Sequence, residues 1–376
     1  MKIGIEAQRI FRPDKHGMDF VILEVLRHLQ RIDDENEYIV FVAPGSDHCI
    51  SNTERMQIME LSCPTYPLWE QWALPRAVKK AGVEILHCTS NTAPLHCPVP
   101  LMLTLHDIIY LNSGKSKGMS CYQQLGWYYR RWNVPRILNT CKRIITVSDT
   151  EHANILHRFP QIEKRLNVVH NGYSDCYHPL PDTEIRAVTH KYLPDNSYLL
   201  FLGNTDPRKN TEGVLRAYHD YRNRSQHPLK LVVTGLKQEY VENMLADMNM
   251  KECAPNIVYT GYVPGEDLPA LYNGAFAFLY PSLLEGFGIP VLESMACGTP
   301  VITSNSSSLP EVAGKDGLLV NPFSAQEITG AILLLEADTK LYQRQVEYGL
   351  SRVKLFSWKH TAQSYLKLYK EMLYSQ

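Results

Sequence analysis

Short, nearly continuous apolar runs alternate with longer stretches in which apolar residues recur every three or four positions, from one end of the chain to the other. In the first half the runs are KIGIEA (2–7), YIVFVA (38–43), ILHC (85–88), LMLTLHD (101–107), RIITVS (143–148) and LNVVHNG (166–172). In the second half they are YLLFLG (198–203), LKLVVTG (229–235), NIVYTGYV (256–263), AFAFLYPS (275–282), PVITSN (300–305) and GLLVNP (317–322). A strand that is apolar on both of its alternating faces is covered on both sides, as in a parallel sheet flanked by helices. Helical stretches between most of the runs give repeated βαβ units, so the pattern predicts an α/β protein.

The pattern breaks once. Residues 173–197, YSDCYHPLPDTEIRAVTHKYLPDNS, are rich in Pro, Asp and His and carry no sustained strand signal; a fresh strand begins at Tyr198. Two doubly wound, Rossmann-like domains are expected, over 1–180 and 181–356, with a ligand cleft between them. The tail SWKHTAQSYLKLYKEMLYSQ (357–376) reads as one amphipathic helix with Tyr365, Leu366, Tyr369 and Leu373 on its apolar face. That helix is expected to pack back on the N-terminal domain.

Composition narrows the class. At 376 residues, 44% hydrophobic and 20% charged, the chain has the make-up of an ordinary globular protein of two domains. A formal net charge of -1 excludes a general nucleic-acid binder, which needs a large basic excess. The nine cysteines are dispersed, with no CxxC pair, and read as reduced thiols rather than a disulfide framework or zinc site. The opening MKIGIEAQRIF is strand-like and lacks a signal peptide's apolar core, and no run reaches the ~18 residues needed to span a bilayer. A cytoplasmic location is expected, with any membrane contact peripheral at the inner face.

Candidate chemistry sits at the carboxyl ends of strands, where open α/β sheets bind ligands. YLLFLGNTDPRKN (198–210) runs from a strand through Gly203 to a helix expected to begin near Arg208. Arg208 and Lys209 at the positive end of that helix would suit a diphosphate, although a helix's first turn ordinarily favours acids. PSLLEGFGIPVLESMACGTPV (281–301) places Glu285 in a loop and Glu293 on a short helix that begins near Pro290 and stops at Gly298. Dipole complementarity accounts for one acid near a helix start, at ~0.3–1 kcal/mol. It leaves unexplained the two glycines around Phe287, which let backbone amides approach a ligand closely. In LTLHDIIY (103–110) a strand ends in His106 and Asp107, and RIFRPDKHG (9–17) is a loop carrying Gly17 into an amphipathic helix.

Residues 115–143 hold Lys115, Lys117, Arg130, Arg131, Arg136, Lys142 and Arg143 without an acid. Tyr122, Trp127, Tyr128, Tyr129 and Trp132 are interleaved with them. Such a helix suits an anionic membrane surface or a pyrophosphate-linked acceptor, while half of its aromatics would serve equally as core.

EGFGIPVLE matches the E-x7-E motif of retaining glycosyltransferases of the GT-B fold, and the chain resembles glycosyltransferase family 4 in particular. The resemblance continues through ACGTPVITSNSSSLPEVAGKDGLLVNP (296–322), GNTDPRKN (203–210), VVHNGY (168–173) and ITVSDTEHANIL (145–156). It implies an acceptor-side N-terminal domain and a C-terminal domain that binds a nucleotide-sugar donor. It implies that Arg208 and Lys209 hold the donor diphosphate near Gly203, and that Glu285 lies beside the donor sugar. It further implies that the amides of Phe287, Gly288 and Ile289 face the sugar hydroxyls and that Glu293 binds the ribose. His106 and Asp107 match the family's His-Asp pair near sugar and acceptor, and Gly17 matches a loop that approaches the phosphates. The chain departs from the family where it has a single glycine in that loop, and Asp19-Phe20 where relatives often carry Arg-Tyr.

The expected activity is therefore transfer of a hexose, with retention, to a glycan or a polyprenyl-pyrophosphate-linked acceptor in surface polysaccharide assembly. GDP-mannose is the first donor expected and a UDP-sugar the second. Fixed cations neutralise the leaving diphosphate, so neither a metal nor a cofactor is expected, and no DxD-like motif stands on a suitable loop. A nicotinamide-dependent dehydrogenase would need G-x-G-x-x-G after a first strand, which neither IEAQRIFRPDKHG nor LGNTDPRKN supplies. A non-catalytic relative would have lost the combination of Arg208, Lys209, Glu285 and Glu293.

Overall fold

A computed structural model describes residues 1–13, 15, 17–112, 121–193 and 197–374. Seven strands make up a first sheet: β1 (Lys2–Glu6), β2 (Glu37–Val42), β3 (Met56–Glu60), β4 (Ile85–Cys88), β5 (Leu101–Thr104), β6 (Arg143–Thr146) and β7 (Leu166–Val168). Six make up a second: β8 (Leu199–Leu202), β9 (Leu231–Thr234), β10 (Ile257–Gly261), β11 (Ala277–Tyr280), β12 (Val301–Ser304) and β13 (Leu318–Val320). All pairings are parallel, in the orders β3-β2-β1-β4-β5-β6-β7 and β10-β9-β8-β11-β12-β13. These are the two doubly wound sheets expected from the apolar runs. Each sheet reverses direction once, between β1 and β4 and between β8 and β11, and ligands of such sheets bind at these switch points.

Strand β3 was absent from the apolar pattern. It is an edge strand paired only with β2, and only Met56 of its five residues is buried. Gln57 and Glu60 are exposed and interrupt the apolar residues, so MQIME carries no continuous apolar signal.

The first unit comprises Met1–Gly172 together with Trp358–Gln376, and the second comprises Tyr173–Ser357. The second unit thus begins before the expected boundary at 181. Tyr177 packs edge-on against Tyr272 at 5.8 Å, and Leu180 N donates to Asn273 Oδ1 at 2.9 Å, which fixes 173–180 to it. The segment read as irregular also contains a helix, Asp182–Thr189, packed on the helix Leu268–Gly274.

The tail helix, Trp358–Tyr374, packs on the helix Gly17–Ile32 of the first unit. Its buried side chains are Trp358, Thr361, Ala362, Tyr365, Leu368, Tyr369 and Met372, while Leu366 and Leu373 are only partly covered. The face is turned from the expected one because hydroxyls anchor it. Tyr369 Oη lies 2.7 Å from His87 Nδ1, His87 Nε2 lies 2.8 Å from Thr104 Oγ1, and Thr361 Oγ1 donates to His170 O at 2.7 Å. Burial depresses the His87 imidazole to about 3.

Candidate functional site

At the switch point of the second sheet, β8 runs into Gly203, whose N–H donates to Thr234 O at 2.9 Å. A Cβ on Gly203 would stand 2.6 Å from Leu236 Cδ1 and 2.9 Å from Thr234 O, so close packing of neighbouring strand ends already requires glycine here. The chain then turns through a 3₁₀ segment, Pro207–Lys209, and the α-helix begins only at Thr211. Arg208 and Lys209 therefore stand in a separate turn ahead of the helix, not in its first turn as expected. Asn210 makes the break: it takes a left-handed conformation (φ 59°), which asparagine tolerates better than most residues. Its Nδ2 donates to Pro281 O at 2.9 Å and to Pro322 O at 2.7 Å, clamping the turn to the loops after β11 and β13.

This clamp brings Lys209 to Glu285. Lys209 Nζ lies 2.7 Å from Glu285 Oε1 and 3.0 Å from Tyr280 Oη, and Tyr280 Oη donates to the same carboxylate oxygen at 2.8 Å. The pair is partly shielded, with 25% and 12% of the two side chains exposed, so solvent and salt screen it less than a surface ion pair. Leu283 N donates to Arg208 O at 2.7 Å, a second tie between the basic turn and the acidic loop. The Arg208 guanidinium forks onto Asp206, with Nη2 2.6 Å and Nε 3.0 Å from Oδ2. Burial opposes ionisation of Asp206, yet these hydrogen bonds hold its carboxyl below the usual range.

A serine run shapes the acidic loop. Glu285 N donates to Ser307 Oγ at 3.1 Å, and Ser308 Oγ donates to Glu285 O at 3.0 Å and Phe287 O at 2.8 Å. The Phe287 side chain is buried against Phe356 (centroids 5.9 Å apart), so its ring is taken up by packing. Gly288 has φ 115°, and a Cβ there would meet Leu309 Cδ2 at 2.6 Å; both facts demand glycine. The helix Ile289–Ala296 starts directly after it, with Pro290 in the first turn, and Gly298 at φ 77° follows its end.

Glu293, five residues into this helix, is held by other groups than Glu285. Its Oε2 accepts from Tyr272 Oη at 3.1 Å, and Tyr177 also hydrogen-bonds to it. Burial pushes its carboxyl up to about 7, against the pull of the two phenols. Near neutrality this acid is poised to ionise when hydroxyl donors arrive, as a ribose diol would supply.

His106 and Asp107 belong to the first unit, beyond the end of β5. His106 is buried, its N–H donates to Asn91 Oδ1 at 2.6 Å, and its Nε2 lies 2.9 Å from Thr89 O. A carbonyl only accepts, so Nε2 carries the proton, and burial, which lowers the pKa, keeps the ring neutral with Nδ1 as the acceptor. Asp107 Oδ1 accepts from Ile109 N at 3.1 Å. Gly17 opens the helix Gly17–Ile32, and a Cβ there would meet nothing within 4 Å, so packing does not require it. Asp19 is buried and ion-paired with Arg12, which gives the departure from the family pattern a structural partner.

Two carboxylates stand behind residues 89–92 of the first unit without any motif to mark them. Glu6 and Glu70 are fully buried; Thr89 N donates to Glu6 Oε2 at 3.1 Å and Thr92 Oγ1 to Glu70 Oε1 at 2.6 Å. They brace residues 89–92, which also carry the partners of His106. Tyr66 and Tyr129 hydroxyls donate to Glu70 as well, and burial raises its carboxyl to about 7. The only sequence signal was a single acid inside PLWEQWALP. Of the basic aromatic segment, Lys115, Lys117 and the Tyr122 side chain lie outside the described residues. Tyr129 faces Glu70 and Trp127 packs against the core, whereas Tyr128 and Trp132 are exposed.

Residues 183–352 match the family model described as glycosyl transferases group 1, and residues 16–175 match that of glycosyltransferase family 4. The chain is 36% identical over 245 residues to O-antigen chain mannosyltransferase B of Escherichia coli, an alignment covering 64% of each chain. The match thus spans less than two thirds of that relative. A solved glycosyltransferase from Rickettsia africae has the same fold over 100% of this chain and 99% of its own, with a TM-score of 0.76 at 17% identity. Anabaena HepE, solved with UDP-glucose, superposes over 99% of this chain and 100% of its own, with a TM-score of 0.75 at 16% identity.

Proposed function

Because the chain belongs to glycosyltransferase family 4, we propose that it moves a hexose, with retention, from a nucleotide-diphospho-sugar to a hydroxyl of a glycan or polyprenyl-pyrophosphate-linked oligosaccharide. Mannose from GDP-mannose is the first choice, in assembly of a surface polysaccharide such as an O-antigen; the mannosyltransferase named above supports it. The observation that carries the reading is the Lys209–Glu285 pair beside Tyr280 at the switch point of the second sheet.

In this reading Lys209 and Arg208 take the diphosphate, and no metal is needed to neutralise it. The sugar C1–oxygen bond breaks with its electron pair passing to the phosphate. The acceptor oxygen bonds to C1 on the same face, and its proton goes to the departing phosphate oxygen. Glu285 and the amides around Gly288 hold the sugar hydroxyls, Glu293 takes the ribose, and neutral His106 offers Nδ1 to a hydroxyl. Transfer takes place at the inner face of the membrane, where a lipid-linked acceptor is presented.

Thermal-shift screening with GDP-, UDP- and ADP-sugars tests the donor, since a ligand that binds only the folded state raises its melting temperature. Stabilisation by GDP-mannose with release of GDP and an α-linked product is expected. A UDP-sugar is the second reading, motivated by the fold neighbour solved with UDP-glucose, and stabilisation by UDP-glucose alone would select it.

A further inference from the structure

The first unit carries the same short device twice. Trp72-Ala73-Leu74-Pro75-Arg76 and Trp132-Asn133-Val134-Pro135-Arg136 share the pattern W-x-Φ-P-R, with Φ an apolar residue. Leu74 and Val134 are both fully buried in one core cluster with Phe41, Leu86 and Leu103, alternate residues of β2, β4 and β5. Alternate strand residues share a face, so both devices are anchored on the same side of the sheet. The surroundings are linked as well. Gln71 Nε2 lies 2.6 Å from Tyr129 Oη, and Tyr66 and Tyr129 rings pack edge-on at 5.9 Å.

Each device holds its tryptophan outward. Trp72 is 55% exposed and Trp132 is 44% exposed. The Arg76 guanidinium lies 4.1 Å from the Trp72 ring centre and its Nη1 donates to Trp72 O at 3.2 Å. Arg136 repeats both contacts on Trp132, at 5.1 Å and 2.6 Å. One turn earlier stand Leu68 and Tyr128, also exposed, and Leu125 beyond them is 68% exposed. Burial runs in step through the windows 71–80 and 131–140 and differs only at Ala73 and Asn133. A fold needs the buried anchors; it does not need two indoles in solvent, each with an arginine laid on it.

Charge identifies what meets this surface. The segment 61–83 contains one acid, Glu70, which is fully buried, and 108–148 contains none. An isologous contact sets a patch against its own copy, and two acid-free arginine rows would repel. An anionic bilayer supplies phosphates for the guanidinium groups and an interfacial layer in which indoles partition. We propose that the paired W-x-Φ-P-R devices are a docking surface for an anionic lipid bilayer, with Trp72 and Trp132 seated at headgroup depth and Arg76 and Arg136 on lipid phosphates. The proposal deepens the lipid-linked acceptor of the reading above and rests on it for its purpose. It also moves half of the contact to a segment, 68–76, outside the basic stretch seen in the sequence.

The test is co-sedimentation of the full chain with vesicles of phosphatidylglycerol and phosphatidylcholine in equal amounts, and with phosphatidylcholine alone. Binding to the anionic vesicles, weakened by high salt, is expected. The doubly substituted Trp72→Ala/Trp132→Ala and Arg76→Gln/Arg136→Gln chains are each expected to lose at least about tenfold in partitioning. Both keep the wild-type melting temperature and its shift with GDP. Brominated lipid is expected to quench wild-type tryptophan fluorescence through these two indoles, a reading that needs no variant. Absence of binding to anionic vesicles, or undiminished binding by both variants, overturns the proposal. A wild-type dimer in light scattering that the tryptophan variant dissociates overturns it too, in favour of a second copy as occupant. Failure of GDP to shift the melt, with vesicle binding intact, would instead sink the donor reading alone.

Discussion

Lys209 Nζ stands 2.7 Å from Glu285 Oε1, with Tyr280 Oη within 3.0 Å of both, although 76 residues of chain separate the lysine from the glutamate. The cation is thereby aimed by a partly shielded carboxylate that Tyr280 also holds. Lys209→Ala is expected to lower kcat by about 10²–10³, the scale of losing one fixed group that stabilises charge in the transition state. The fold is expected to survive, because Tyr280 and Ser307 still hold Glu285. Steady-state turnover with GDP-mannose and a melting curve check this; near-normal turnover would remove the phosphate role.

If Glu293 takes the ribose as proposed, it links donor binding to pH. Its carboxyl is raised from 4.5 to about 7, so between these values the folded protein keeps a proton that the unfolded chain has lost. The stability it confers is present below pH 4.5 and disappears as the pH rises to 7. Glu293→Gln is expected to flatten that slope, and relative to wild type to gain on the order of 1–2 kcal/mol by pH 8 after allowance for partial exposure. Hydroxyl donors favour the ionised form, so wild-type affinity for GDP is expected to rise through neutrality. In the glutamine variant it should be weaker and independent of pH. Calorimetric titration at several pH values decides, and equal pH profiles would remove the ribose assignment.

The contact between His87 and Tyr369 works at the acid end. His87 is moved from 6.5 to about 3 by burial, so as the pH falls through this window the unfolded chain takes up a proton that the folded one refuses. Stability contributed by His87 is complete above pH 6.5 and is lost towards pH 3, on the order of a few kcal/mol. His87→Gln is expected to shift the acid-unfolding midpoint of the first unit to lower pH. Tyr369→Phe removes one buried hydrogen bond and should cost about 1–2 kcal/mol at neutral pH without altering the pH slope. Urea melts across the acid range separate the two.

Gly288 is the position with least latitude in the acidic loop. At φ 115° and with Leu309 Cδ2 2.6 Å from where a Cβ would go, Gly288→Ala is strained and crowded at once. A loss of about 1–3 kcal/mol is expected, with a larger fall in turnover than in melting temperature because the loop carries Glu285. Differential scanning calorimetry beside an activity assay checks it.

Much of the fold was legible because parallel strands covered on both faces are apolar at every position. All twelve runs are strands, and only β3, with Gln57 and Glu60 exposed among its five residues, escaped. The motif residues were legible too, since Gly288, Pro290 and Gly298 mark the start and end of a helix by backbone geometry. What could not be read was which acid pairs with which base. Arg208 is engaged by Asp206, Lys209 by Glu285, and Tyr280, hidden in an apolar strand, joins the second pair.

The sequence by itself determined two parallel sheets, the strand ends at which Lys209 and Glu285 stand, and the family whose motifs they carry. These depend on periodicity and on local backbone preference, which act over a few residues. The tertiary structure alone decided the clamp by Asn210, the turned face of the tail helix, the buried Glu6 and Glu70, and the outward set of Trp72 beside Trp132. Those depend on burial and on partners distant along the chain. A polar atom's environment is fixed by what packs on it, and no local pattern encodes that.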